Sequence, residues 1–89
     1  MTKLTDVFQE IWRERPHKSE VSGTYLGNEI NSTYFHHILP KKKYPQAEFD
    51  KENIILLTSD EHGNVEVDIY KYEEINKRRN YLKIKYGIY

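Results

Sequence analysis

A chain of 89 residues has room for one domain and a modest core, since a domain of ~60 residues hides only roughly 60% of its unfolded surface. Cysteine is absent, which excludes disulfides and thiolate-held zinc and leaves packing, His/carboxylate metal binding or oligomerisation to hold the fold. The 14 basic and 14 acidic side chains cancel, which weighs against a simple nucleic-acid coat protein, whose affinity comes from neutralising phosphates.

In chain order, the spacing of Val7, Phe8, Ile11 and Trp12 predicts a helix over Thr5 to Arg15, capped by Thr5 and ended by Pro16. His17 to Tyr25 reads as a short hairpin turning at Gly23, and Gly27-Asn28 as a further turn. Thr33 to Leu39 is β-branched and aromatic and stops at Pro40, which predicts a strand. Lys41 to Asp50 is a polar connection anchored by Tyr44, Pro45 and Phe49. Asn53 to Leu57 is an apolar run of strand length. A helix then begins at Thr58 or Ser59, with Gly63 and Asn64 weakening it, and a last helix runs from Tyr70 to Tyr86, stopped by Gly87. The order is α+β, in one domain over 1–89. Phe8, Ile11, Trp12, Ile55, Leu57, Tyr72, Ile75 and Leu82 are the expected core.

No apolar run approaches the ~18 residues needed to cross a bilayer, and the first residues lack the apolar stretch of a secretory signal. No membrane partner and a cytoplasmic location are therefore expected. Charge is uneven along the chain. Lys41, Lys42 and Lys43 sit together, Lys77, Arg78, Arg79, Lys83 and Lys85 load the tail, and acids gather between Glu48 and Asp68. The lysine triplet is either a solvated loop or a grip on phosphates, and Arg78 and Arg79 read as an exposed helix face. His17 reads as a surface or edge histidine.

Three of the four histidines fall in one pattern: His36-His37 at a strand end, then Asn53 opening the next strand, then His62 early in a helix. Neighbouring side chains on a strand point to opposite faces, so two adjacent imidazoles can flank one target from different sides at a bend. Imidazole is also the commonest protein ligand for mid-row divalent metals.

This pattern resembles the HNH endonuclease family, whose ββα-metal core pairs Asp-His or His-His on its first strand. In that core an Asn opens the second strand and a His lies early in the helix. Here His62 follows Asn53 by nine residues, a spacing found in many members. Many members also carry two Cys-x-x-Cys pairs. Ser19-Glu20-Val21-Ser22-Gly23 and Thr58-Ser59-Asp60-Glu61-His62 keep that spacing with every cysteine replaced, and the matching segments span about His17 to Glu66.

The resemblance implies a fold: a ββα-metal core with an N-terminal helix, a β-hairpin and a C-terminal helix. It also implies metal-dependent hydrolysis of DNA phosphodiester bonds, as a nick or a double-strand cut, by a small phage or mobile-element enzyme. His37 would be the general base. His36 and His62 would hold one divalent cation, with Glu66, four residues on along the same helical face, as third ligand and Asn64 as a weaker candidate. Asn53 would tie the loop that aims His37, or bind the metal as in some relatives. Two neutral ligands favour manganese, nickel, cobalt or zinc over magnesium. DNA is the expected partner, with Lys41, Lys42 and Lys43 as candidate contacts; RNA, a protein partner and self-association stay open. The alternative is a non-catalytic nucleic-acid or phage-assembly module reusing the same frame.

Overall fold

A computed structural model describes residues 3–88. Among them are three α-helices and one two-stranded antiparallel sheet, an α+β arrangement. Helix α1 spans Leu4–Glu14, about three turns, after which Pro16 prevents continuation. Its cap lies earlier than Thr5, because the Asp6 carboxylate accepts the Lys3 backbone N–H at 3.2 Å. Val7, Ile11 and Trp12 form its buried stripe.

Strand β1, Phe35–His37, pairs with β2, Ile54–Leu56, in the register Phe35 with Leu56, His36 with Ile55 and His37 with Ile54. Both strands are shorter than the sequence predicts. Asn31 and Asp50 accept the N–H groups two residues on, from Thr33 and Glu52, and curl Ser32–Tyr34 and Lys51–Asn53 into 3-10 turns. The expected hairpin over His17 to Tyr25 is corrected to one isolated bridge, Lys18 with Tyr25. There the Ser19 hydroxyl collects the N–H groups of Val21 and Ser22, and Gly23 adopts φ 78°, so the chain closes into a tight loop instead of extending.

Helix α2, Ser59–Val67, runs straight through Gly63 and Asn64. A reciprocal cap between Thr58 and Glu61 and the buried anchor Val65 outweigh the poor helix formers. Helix α3, Glu73–Lys85, starts three residues later than Tyr70, because Asp68 accepts the Tyr70 N–H in a preceding turn.

Strand β2 is buried on both faces, and its alternation divides the core in two. Ile54 and Leu56 join Val7, Ile11, Trp12, Leu26 and Phe35 beneath α1. Ile55 and Leu57 join Ile38, Leu39, Ala47, Val65, Ile75 and Leu82 beneath α2 and α3. The far edge of β2 is covered by Glu20, whose N–H reaches Leu56 O while its carboxylate accepts the Leu56 N–H. Arg15 locks the end of α1 onto the same strand by donating to Ile54 O and Lys51 O at 2.7 Å each. No helix among the described residues is long and apolar enough to cross a membrane.

Candidate functional site

Register places the paired histidines. His36 lies opposite Ile55 and shares its face, toward α2; His37 shares the face of Ile54, toward α1. Accordingly the His36 ring meets His62, early in α2, with centroids 5.1 Å apart and edge to face, whereas His37 lies 6.1 Å from Phe8 of α1. Both histidines nonetheless reach one cleft, because β1 ends at His37 and the chain bends away through Pro40. That cleft, of about 420 Å³, is lined by Phe8, Ser32, Phe35, His36, His37, Pro40, Lys41, His62 and Glu66.

Hydrogen bonds to backbone carbonyls orient the rings of His62 and His37. The Thr33 carbonyl lies 2.7 Å from His62 Nδ1; a carbonyl only accepts, so Nδ1 carries the proton and Nε2 keeps its lone pair. By the same argument the Glu48 carbonyl, 2.9 Å from His37 Nε2, leaves the lone pair of His37 on Nδ1. Burial, countered in part by the bond to Glu48 and reinforced by nearby Lys41, holds the His37 pKa below its ordinary value. Burial acts more strongly on His36. Together with the neighbouring His62, His37 and Arg79 it lowers that pKa to about 4, so the ring is neutral at pH 7.

Asn53 is fully buried and binds no site atom directly. Its Oδ1 accepts the Leu39 N–H at 2.7 Å, and its Nδ2 donates to the Leu39 and Ala47 carbonyls at 3.1 Å. Of the two roles open from the sequence, this geometry matches the loop tie: the amide fixes the chain that leaves β1 just after His37.

The imidazole pair suits a borderline divalent cation, since both rings are held neutral or with a lone pair directed by a backbone carbonyl. Glu66 Oε1 lies 3.5 Å from His62 Nε2 across one helical turn, but its side chain is mostly exposed. Among the described residues no three His, Asp or Glu side chains form a group placed to hold a metal ion; His36 and His62 meet as a pair, and Glu66 lies beside His62. Asn64 instead donates to the Tyr72 hydroxyl at 3.1 Å.

The lysine triplet divides. Lys41 lines the histidine cleft, Lys43 lines a neighbouring cleft, and exposed Lys42 lines neither. Arg79 needs correction: it is 6% exposed rather than part of an open helix face, because its guanidinium turns inward to Asn76 Oδ1 at 2.8 Å and Ile69 O at 2.6 Å. Arg78 is half-buried on Glu20 and Glu52. His17 stacks on Trp12 at 3.8 Å and packs as a structural ring.

The two cysteine-spaced segments meet. Ser19 Oγ donates to Glu61 Oε1 at 2.6 Å while accepting from Val21 and Ser22, and the Thr58 N–H reaches the same carboxylate oxygen at 2.9 Å. A closed hydrogen-bond cluster thus occupies the four spaced positions. Burial raises the Glu61 pKa, but the bonds from Ser19, Thr58 and Ser22 outweigh it and leave it below the ordinary value. Comparison with protein-family models, curated proteins and solved structures finds no match for this chain.

Proposed function

We propose that this protein is a metal-dependent endonuclease of the HNH type, hydrolysing DNA phosphodiester bonds. One observation carries the reading: His36, His37 and His62, from two separate elements, line a single cleft, and backbone carbonyls orient the rings of His37 and His62. The buried Asn53 tie and the meeting of the two cysteine-spaced segments support it further.

In this reading His37 Nδ1 takes the proton of the attacking water. Its lowered pKa keeps the base form populated at neutral pH, and the Glu48 carbonyl holds the ring in place. His36 and His62, with Glu66 beside His62, would hold a divalent cation, whose chemistry there would be Lewis-acid polarisation of a phosphate. Asn53 fixes the loop behind His37, and Lys41 presents a positive charge at the cleft wall.

Supercoiled plasmid incubated with manganese, magnesium, zinc or EDTA tests the activity, beside calorimetric titration of the same metals. Nicking with metal and none in EDTA is expected, together with loss of metal affinity in His62→Ala. Binding to DNA without cleavage under any metal would favour the non-catalytic module instead.

A further inference from the structure

A second cleft, of about 230 Å³, adjoins the first through His36, His37 and Pro40. Its remaining wall is Lys43, Tyr44, Tyr70, Arg79 and Lys83, with apolar residues from just after β1 and from the turn before α3, and no carboxylate lines it.

Arg79 is the unusual member. A buried cation ordinarily has a counter-ion, since the desolvation cost of an isolated charge is several kcal/mol. Arg79 has none: among the described residues its bonds go to a neutral amide and a backbone carbonyl, and Tyr70 covers its face at 5.2 Å. Lys43 and Lys83 likewise form no ion pair among the described residues, and Lys43 lies against the Tyr44 ring. Among the described residues five cations are ion-paired: Lys51 on Glu10 and Glu14, Arg15 and Arg78 on Glu20, Lys77 on Glu74, Lys85 on Asp50 and Glu52. The unpaired lysines and Arg13 are not buried; Arg79 is both buried and unpaired. Three unneutralised cations beside two aromatic rings, in a cleft free of acids, suit an anion attached to something flat. A phosphate with its nucleobase has that chemistry.

We infer that this second cleft binds a phosphate flanking the cleaved one on the same DNA strand, through Arg79, Lys43 and Lys83, with Tyr70 against the adjoining base. The inference rests on the nuclease reading for the identity of the strand. Arg79, whose terminal nitrogens already bond Asn76 and Ile69, supplies a fixed charge and its remaining N–H groups, and the two lysines supply mobile point charges. The strand then passes from one cleft to the next over His36 and His37.

The test reads binding rather than chemistry. Anisotropy of a fluorescein-labelled DNA duplex is measured in EDTA across a potassium chloride series. Lys43→Ala and Lys83→Ala each weaken binding roughly fivefold and reduce the salt slope by about one, as for loss of a phosphate contact. Arg79→Lys keeps the charge and so keeps the slope, but loses affinity with those N–H groups. Lys77→Ala, on the same helix outside the cleft, leaves both unchanged. Circular dichroism of each variant confirms folding, and the exposed Lys43 site keeps the test independent of buried Arg79.

Wild-type affinity and slope in Lys43→Ala and Lys83→Ala overturn the inference, even if the protein cuts plasmid. The expected losses in a protein that never cuts uphold it as a DNA site and overturn the nuclease reading alone. In a parallel arm, sodium phosphate is titrated against Tm. A rise in Tm with phosphate, and no binding to DNA, identifies a free-anion site and overturns the inference.

Discussion

Asn53 shows how much one side chain carries. All three of its hydrogen bonds are buried and all go to backbone, across a loop of 14 residues to Leu39 and six to Ala47. In Asn53→Ala the Leu39 N–H and two carbonyls lose their partner inside the core, at about 1–3 kcal/mol for each buried group left unsatisfied. Asn53→Asp keeps the shape and still accepts from Leu39, but it aims a carboxylate oxygen at two carbonyls. Both variants are expected to lose about 3 kcal/mol by urea denaturation, within the range for a broken buried network. Stability equal to wild type in Asn53→Asp would show that the loop is held by other contacts. His36 and His62 carry less for stability, since their rings meet each other at the edge of a cleft rather than within the packed interior.

Among the elements, α1 depends on one face. Trp12 is buried against Tyr34, Phe35 and the stacked His17 ring, and it closes the core beneath the sheet. Trp12→Ala is expected to cost ~3–5 kcal/mol, read as a lower urea midpoint; an unchanged midpoint would mean that α1 does not dock. The end of α3 is tied differently. Asp50 accepts from Lys85, from the Tyr86 hydroxyl and from the Glu52 N–H. Burial alone would raise its pKa, but these bonds outweigh it and hold the carboxyl below 3.8. A depressed carboxylate pKa stabilises the fold fully above the unfolded value and progressively less as pH falls through the folded one. Wild type is therefore expected to lose stability steeply below about pH 4, and Asp50→Asn less steeply, from a neutral-pH starting point about 2 kcal/mol lower. Parallel acid limbs for the two proteins would remove Asp50 from the account. The elements themselves were readable where periodicity is strong, as in α1 and in the apolar run of β2. What the sequence conceals is local competition. Asn31 and Asp50 look like ordinary loop residues, yet their side chains take the N–H groups that would have lengthened the strands. Gly63 reads as a weak point in a helix whose cap and buried Val65 make it continuous. Arg79 reads as solvated because its inward turn depends on Ile69 O and Tyr70, which a helical wheel does not contain. The histidine pattern was legible because it is a matter of spacing and strand parity, whereas the second cleft needed the turn before α3 to be in place.

For the molecule as a whole, a neutral chain has sorted its charges. The radius of gyration of 12.6 Å is close to the ~12 Å of a compact chain of this length, so the sorting happens over short distances. Carboxylates pair with Lys51, Arg15, Arg78 and Lys85 away from the two histidine clefts, which are lined by Lys41, Lys43, Arg79 and Lys83 with Glu66 as the acid among them. Net charge zero therefore coexists with a locally basic, histidine-centred face. The central claim, that His37 is the base of a nuclease, is tested most directly by the plasmid-nicking rate of His37→Ala beside wild type in manganese. Loss of a general base predicts a rate roughly 10²–10⁴ lower, with metal affinity nearly unchanged. Nicking by His37→Ala at the wild-type rate would contradict it.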